Sequence, residues 1–200
     1  MPSSMPTEPA ASSVWLRPMR DHDDDYALLL RWLTDPRVLE WYEGRDQVYT
    51  VERLRAEWAP AVQEAEWVWP FLIEADGRPV GYLQVVHVLP YAAAYAVEGD
   101  ASHTWAIDLF VGEVEAWGAG IGTAAVRAGV AEALRRGADR VVIDPRVTNE
   151  RAIHVYEKVG FRIAKRLPSA EFHEGEAWDC WLMELDVDAH QNTGSSSSAG

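Results

Sequence analysis

Apolar residues recur along this chain first with a helical period and later with a strand-like period. A β-type run at residues 14–19 opens the pattern, and apolar positions three and four residues apart then follow Asp23 and, further on, Thr50. Both residue types favour helix N-caps, and a short helix is predicted between them at residues 38–41. Pro60 argues against a helix that continues beyond it. The first third of the chain is therefore predicted to hold one strand and then helices.

From Trp69 onward, the pattern predicts a sheet with two further helices. Runs at 71–74 and 80–88 flank Asp76-Gly77, which is a strong hairpin signal. The remaining runs predict strands at 104–111, 140–143, 161–166 and 178–185 and helices at 123–136 and 149–159. The resulting order, β-α-α-β-β-β-α-β-α-β-β, predicts an α/β fold with a mixed sheet in one domain over residues 14–187.

The two ends of the chain lie outside this pattern. Residues 1–13 lack the basic and apolar regions of a signal peptide, and residues 188–200 are of low complexity; both are predicted to be disordered.

No apolar stretch approaches the ~18 residues that span a bilayer, so no membrane association is expected. The single cysteine, Cys180, excludes an intramolecular disulfide and favours a cytoplasmic setting. The sequence leaves open whether the protein is a monomer or a homodimer.

Charge narrows the class of partner. The chain has 32 acidic residues against 18 Lys and Arg, a formal net charge of −14, which argues against nucleic acid as a partner. An acidic surface suits a cationic partner or simple solubility.

The histidines show no metal-ligand spacing, so no metal is predicted. Ten tryptophans are many for this length, and rings not needed for packing tend to line binding surfaces.

Three glycines lie between a predicted strand and a predicted helix. Glycines let the backbone turn its N–H groups inward and let a ligand approach closely, and the helix adds the positive end of its dipole. A phosphate or pyrophosphate site is therefore favoured, with a plain connector as the alternative. No Lys-Ser/Thr pair follows, which excludes a Walker A loop, and no early βαβ unit supports a Rossmann fingerprint. The candidate residues are Trp117, Gly118, Ala119, Gly120, Ile121, Gly122 and Thr123.

A second segment gives a more specific signal. After the predicted strand at 140–143 come Asn149, Ala152, Tyr156 and Gly160-Phe161, and this spacing resembles the second acyl-CoA-binding motif of the GCN5-related N-acetyltransferases, the GNAT superfamily. The glycine run resembles that family's first motif, the pyrophosphate loop, and the two occur in the family's order. The resemblance implies the GNAT fold, a mixed and mostly antiparallel central sheet flanked by helices, with acetyl-CoA as co-substrate.

Within the superfamily, the chain resembles the aminoglycoside 6'-N-acetyltransferases, which acetylate one amine of a polycationic antibiotic. The segments that look alike are 38–42, 81–84, 106–108, 143–145 and 149–161. The chain departs from the family at Trp117, where the first motif usually begins with Gln or Arg. A contact to a CoA phosphate is lost there if the indole cannot replace it, while the backbone amides remain.

The resemblance also implies roles for single residues. Asp108, a charge in an otherwise apolar strand, would be the general base or anionic anchor for the acceptor amine, and an ion pair with an arginine is the alternative. Tyr156 would donate a proton to the departing CoA thiolate while packing on the sheet. Asn149 would cap its helix or contact the pantetheine arm. Further cofactor contacts are expected from Leu109, Phe110, Val111 and Ala152, with backbone amides of that strand holding the oxyanion.

Carboxylates and aromatic rings would line the acceptor site. Asp144 begins a loop at the C-terminal end of a strand, where ligands of α/β sheets commonly bind. The expected lining is Trp41, Tyr42, Glu43, Glu98, Asp100, Trp105, Asp108, Asp144 and Glu174, with Glu171 as the alternative to Glu174. For any one loop carboxylate, a solvated surface position is the competing interpretation.

The sequence therefore predicts an acetyl-CoA-dependent transferase that acetylates the 6'-amine of aminoglycosides by direct attack and so confers antibiotic resistance. No acyl-enzyme is expected, and Cys180 is not needed as a nucleophile. One alternative keeps the chemistry but changes the acceptor to another amine metabolite, a siderophore precursor or a protein N-terminus. The other is a module that binds an antibiotic or acyl-CoA without turnover, against which the presence of both Asp108 and Tyr156 counts.

Overall fold

A computed structural model describes residues 13–64 and 66–187. The segments predicted to be disordered lie outside these residues, except for Ser13, whose backbone pairs with Asp76. The strands are β1 (Val14–Pro18), β2 (Val68–Ala75), β3 (Arg78–His87), β4 (Thr104–Val111), β5 (Arg140–Ile143), β6 (Arg162–His173) and β7 (Glu176–Asp186). The helices are α1 (Asp23–Trp32), α2 (Pro36–Leu39), α3 (Val51–Glu64), α4 (Ile121–Arg135) and α5 (Glu150–Val159).

The seven strands form one sheet in the order β1-β2-β3-β4-β5-β7-β6. Only the pair β4 and β5 is parallel, and all other neighbours are antiparallel. This pair is also short, since residues 104–106 of β4 meet residues 140–142 of β5 and the pairing ends there. The predicted mixed, mostly antiparallel sheet is confirmed, and it opens between its two parallel strands.

Helices cover both faces of the sheet. On one face, α4 and α5 pack on odd-numbered positions of the central strands such as Leu83 and Ile107. On the other face, α1, α2 and α3 cover Leu72, Tyr82 and Phe110. Because side chains alternate along a strand, neighbouring residues of β3 and β4 serve different faces. The opening between β4 and β5 is a gap in the sheet and connects its two faces.

Local sequence explains most of the boundaries. Asp76 and Gly77 both have positive φ, at 50° and 76°, as a type I′ hairpin turn requires. Asn149 caps α5 by accepting a hydrogen bond from the Ala152 N–H at 3.2 Å. Gly160, at φ 114°, ends the same helix in the left-handed conformation.

Two boundaries differ from the prediction more than the others do. Helix α3 runs through Pro60. Proline has no N–H, so the Ala56 carbonyl loses its intrahelical hydrogen bond. Both residues face solvent, where water can replace that bond. Strand β6 continues past the predicted end at Arg166, and its register against β7 shifts between Leu167 and Glu171. A bulge lets a strand absorb such an interruption, and it brings the far end of β6 to the opening in the sheet.

Candidate active site

A cleft of about 780 Å³ passes through the opening between β4 and β5. On one side it reaches the loop after α2, and on the other it reaches the loop before α4 and the start of α5. Carboxylates gather at the first end. Glycines and the basic residues Arg151, His154 and Lys158 line the second end. The two ends thus suit ligand groups of opposite charge, a cation at the first and an anion at the second.

Asp108 and Asp144 occupy matched positions at the point where the sheet opens. Each lies two residues beyond the last residues that pair β4 with β5, which are Ala106 in β4 and Val142 in β5. Because strands alternate with period two, each aspartate shares the sheet face of that paired residue. Ala106 and Val142 belong to one small core cluster. Both carboxylates therefore extend from the face that α1, α2 and α3 also occupy.

Burial and mutual repulsion favour the protonated forms of these carboxylates. Burial raises the pKa of Asp144 to about 8, and the charges of Asp108 and Glu171 add to the rise. Burial also raises the pKa of Asp108, hydrogen bonds from Gln84 and Tyr95 oppose this, and Glu171 reinforces it. A bound cation would relieve the repulsion, so this end of the cleft is suited to ammonium groups.

Two donors fix one oxygen of the Asp108 carboxylate. Gln84 Nε2 donates to Asp108 Oδ2 at 2.7 Å, and the Tyr95 hydroxyl donates to the same oxygen at 3.1 Å. Gln84 is the direct cross-strand partner of Asp108 in the β3–β4 register. Tyr95 comes from the loop between these strands. Asp108 lines the cleft, and within residues 13–64 and 66–187 both donors to its carboxylate bind Oδ2 and not Oδ1.

One arginine lies among the acidic residues. Arg146 is only 8% exposed; its Nε donates to Glu171 Oε2 at 2.5 Å and its Nη1 to the Glu40 carbonyl at 2.9 Å. His173 Nε2 lies 3.2 Å from the same Glu171 oxygen. The far end of β6 and the end of α2 are thereby joined beside the acceptor end of the cleft.

The glycine run has the backbone conformation that its sequence indicates. Gly118 and Gly120 have φ of 84° and 82°, a region that L side chains rarely adopt. No heavy atom lies within 4 Å of a Cβ built at either residue, so the conformation and not a lack of space requires glycine. Helix α4 begins at Ile121, directly after this turn. The turn and the helix N-terminus together form a site suited to a phosphate.

Trp117 does not replace the Gln or Arg of the family motif directly. Its indole N–H donates to the Val111 carbonyl at 2.7 Å. The guanidinium of Arg151, from the first turn of α5, lies over its ring at 4.1 Å from the ring centroid. A positive charge is therefore present beside the glycine turn, but it comes from another helix.

Tyr156 lies on the other side of the opening from Asp108. It is buried at 8% exposure, and it belongs to the core beneath α4 and α5 while lining the cleft. Burial, followed by the charges of Asp108 and Asp144, raises its pKa. The phenol thus keeps its proton at neutral pH and can donate it.

The structure brings most of the predicted site residues into one cleft. Those that line it are Trp41, Tyr42, Glu43, Asp108, Leu109, Phe110, Val111, Trp117, Gly118, Gly120, Gly122, Thr123, Asp144, Asn149, Ala152 and Tyr156. Ala119, in the glycine turn, and Ile121, the first residue of α4, are not part of the lining. The Ile121 side chain enters the core.

Four of the predicted acceptor-site residues lie elsewhere. Glu98 pairs with Lys165 at 2.6 Å and Glu174 with Arg45 at 2.8 Å. Asp100 accepts a hydrogen bond from the Ser102 N–H at 2.9 Å. Trp105 is three residues from Asp108 along β4, so it points to the opposite face and packs on Trp69 and His87. These placements correct the predicted lining.

Several lining residues were not among the predicted ones. Gln84, Tyr95, Arg146 and His173 line the cleft without having been predicted to do so. A signal existed for Gln84, since antiparallel pairing of its strand with β4 could place it beside Asp108. Glu171 was the alternative to Glu174, and the structure favours it.

The sequence of this chain is similar to those of known acetyltransferases. A family model described as an acetyltransferase (GNAT) domain matches residues 21–168. The chain belongs to the GNAT acetyltransferase family. It is 32% identical over 151 residues to aminoglycoside N(6')-acetyltransferase type 1 of Klebsiella pneumoniae, covering 74% of each chain. The enzyme of the same name from Serratia marcescens is similar to the same extent.

Solved structures of other acetyltransferases share the fold. Aminoglycoside acetyltransferase AAC(6')-Ib, in complex with coenzyme A and kanamycin, superposes with a TM-score of 0.76 at 27% identity, covering 91% of this chain and 99% of that chain. Spermidine N-acetyltransferase from Vibrio cholerae has a TM-score of 0.74 at 13% identity, covering 90% and 98%; it supports the fold alone. The predicted family and fold are thus confirmed.

Residues 13–64 and 66–187 contain no group of three or more His, Cys, Asp or Glu residues arranged to hold a metal ion. No helix of this part of the chain is long and apolar enough to cross a membrane.

Proposed function

We propose that this GNAT acetyltransferase transfers the acetyl group of acetyl-CoA to the 6'-amine of aminoglycoside antibiotics and so confers resistance to them. The proposal rests on one observation above all. A carboxylate and a phenol, Asp108 and Tyr156, line the same opening in the sheet from opposite faces. An amine held on the first face can attack a thioester whose sulfur leaves on the second.

The reaction needs a free amine, because an ammonium ion is not a nucleophile. Asp108 accepts one proton from the ammonium group, directly or through water. The amine nitrogen then attacks the thioester carbonyl, and backbone N–H groups near Leu109 and Val111 stabilise the negative oxygen. Collapse of the tetrahedral intermediate breaks the carbon–sulfur bond, and Tyr156 gives its proton to the thiolate. The products are an amide and CoA.

The cofactor end favours a diphosphate-bearing acyl donor. The amides of the glycine turn and the N-terminus of α4 offer hydrogen bonds to phosphate oxygens, and Arg151 adds a fixed positive charge. In acetyl-CoA, a pantetheine arm separates the thioester from the diphosphate. The relative AAC(6')-Ib forms complexes with coenzyme A, which agrees with this choice.

The acceptor end favours a polycation with sugar rings. Asp108, Asp144 and Glu171 place carboxyl groups at the floor of the cleft, where a bound cation favours their ionised forms. Trp41 and Phe172 add aromatic surface at its rim. Trp41 and Phe172 are 37% and 70% exposed, so both rings are free to stack on a ligand. Carboxylates bind ammonium groups, and aromatic faces pack on the apolar faces of sugars.

A panel of acceptors tests the proposal. The protein is incubated with acetyl-CoA and each acceptor, and released CoA is detected with a thiol reagent. The decisive pair is two aminoglycosides that differ only in an amine or a hydroxyl at the 6' carbon, with spermidine and a peptide N-terminus as other amines. We expect CoA release with the 6'-amine and at least a 100-fold lower rate with the 6'-hydroxyl. Equal turnover of both, or turnover of spermidine or the peptide alone, would refute the 6'-amine as the acceptor.

A further inference from the structure

The side chain of Asp108 is held from two directions, by residues with no assigned part in the reaction. Gln84 Nε2 and the Tyr95 hydroxyl both donate to Oδ2, at 2.7 and 3.1 Å. The Gln84 amide is itself oriented, because the Tyr82 hydroxyl donates to its Oε1 at 2.9 Å. Gln84 must therefore present its NH₂ group to Asp108, and only the carboxylate oxygen can accept.

Tyr95 can only donate in this arrangement. Burial, followed by the charges of Asp108 and Asp144, raises the pKa of its phenol, so it stays protonated throughout the neutral range. It packs against the cluster of Val86, Ala106 and Val142, which lies on the Asp108 face of the sheet. The thiolate leaves on the Tyr156 side, so Tyr95 is on the wrong face to protonate it.

We propose that Gln84 and Tyr95 are positioning residues that hold Oδ2 of Asp108, favour the ionised carboxylate against the effect of burial and direct Oδ1 at the acceptor amine. This inference rests on the proposed base role of Asp108 but not on the identity of the acceptor. A carboxylate that rotates freely would lose alignment with the amine. A buried carboxylate without donors would also hold its proton too tightly to serve as a base at neutral pH.

Other titratable groups face Asp108 and set the background for any test by pH. They come from β3, the loop after α2, the loop after β5, α5 and β6, and they are Tyr82, Tyr42, Glu43, Asp144, Tyr156 and Glu171. None of them changes in Tyr95→Phe, so a difference between that variant and the wild type reports the lost hydroxyl.

Tyr95→Phe tests the inference with Tyr91→Phe as its matched control. Tyr91 lies four residues earlier in the same loop, is 40% exposed and is not part of the cleft lining. The carboxyl of Asp108 is followed by ¹³C NMR in aspartate-labelled protein without substrates, its resonance assigned from Asp108→Asn. Loss of one donor to the charged form should move the titration of Asp108 upward by about one pH unit.

Kinetics provide the second measurement, on whichever amine the protein acetylates. In Tyr95→Phe the acidic limb of kcat/KM should shift to higher pH by the same amount, kcat should fall about tenfold, and the acceptor KM should change less than threefold. Tyr91→Phe should match the wild type throughout. An unchanged Asp108 titration in Tyr95→Phe would overturn the inference, as would a loss confined to KM. A shifted titration and a shifted acidic limb in a protein that acetylates another amine but no aminoglycoside would leave the positioning role standing and refute the proposed function.

Discussion

Arg146 and Glu171 form an ion pair inside the acidic end of the cleft, with Arg146 Nε donating to Glu171 Oε2 at 2.5 Å. Their side chains are 9% and 31% exposed. The positive charge of Arg146 opposes the binding of a cationic ligand nearby, so its presence calls for another role. Here it also donates to the Glu40 carbonyl, so it fastens β6 to the end of α2. The pair joins two walls of the cleft and leaves the proposed contacts with the acceptor to Asp108 and Asp144.

Arg146→Met should therefore lower stability more than the loss of a surface pair would. The variant removes the arginine partner of Glu171 in a partly buried site and leaves His173 beside it, at a cost of about 2 kcal/mol. This corresponds to about 4–8 °C in Tm for a chain of this size. Thermal unfolding measures this. Arg166→Met is the control, because its pair with Asp179 involves an arginine that is 57% exposed and should change Tm by less than about 2 °C.

A double variant separates charge from packing at this pair. Glu171→Gln added to Arg146→Met removes the carboxylate that lost its arginine, so part of the lost stability should return. A double variant less stable than Arg146→Met alone would contradict the charge argument.

Asp144 should release a proton when a polycation binds. Its pKa of about 8, caused by burial and then by the charges of Asp108 and Glu171, keeps it largely protonated at pH 7 in the free protein. An ammonium ligand favours the ionised form, so binding at pH 7 should release up to about one proton. Calorimetry in buffers of different ionisation enthalpy counts the protons, and Asp144→Asn should release fewer. Equal proton release in both would argue against a role for Asp144 in binding the cation.

The same raised pKa has a consequence for stability. An aspartate titrates near pH 4 in the unfolded chain and at about pH 8 in the fold. Its contribution to stability is complete below pH 4 and is lost as the pH rises to 8. Asp144→Asn should therefore gain stability relative to the wild type over that window, as measured by urea unfolding at several pH values. A difference that falls with rising pH would be opposite in sign to this expectation.

Arg151 should contribute to cofactor affinity and little to chemistry. Its guanidinium is held over the Trp117 ring beside the glycine turn, where a charge-assisted hydrogen bond to phosphate is available. Arg151→Gln should raise KM for acetyl-CoA about tenfold with kcat within about twofold. The variant and the wild type should use acetyl-pantetheine, which has no phosphate, equally well. Arg78→Gln is the control, because Arg78 begins β3 and is not part of the cleft lining. A loss shared with acetyl-pantetheine would exclude a phosphate contact.

Local signals in the sequence predicted much of the fold. Asp76-Gly77 predicted its hairpin because only a few residue types adopt two positive φ angles in succession. The runs at 104–111 and 140–143 predicted β4 and β5 with their observed bounds. The far end of β6 was missed because Pro168 lies at an interruption that only pairing with β7 resolves.

The site was predictable where its chemistry is local and not where it depends on pairing. Asp108 was noticeable as a charge in an apolar strand, and the glycine turn as a run of glycines. Tyr95 and Arg146 reach the cleft through tertiary contacts from segments without regular periodicity, so no spacing indicated them. Trp105 could have been excluded, because a residue three positions from Asp108 on one strand faces the other side of the sheet.

Turnover and cofactor affinity of Asp108→Asn, measured side by side, test the central claim most directly. The amide fills the same space and keeps an oxygen for Gln84 and Tyr95, but it cannot accept the proton of an ammonium group. We predict that acetylation of an aminoglycoside bearing a 6'-amine falls by at least 100-fold, while the dissociation constant for acetyl-CoA, measured by calorimetry, stays within about twofold. Acetylation at the wild-type rate by Asp108→Asn would contradict the account.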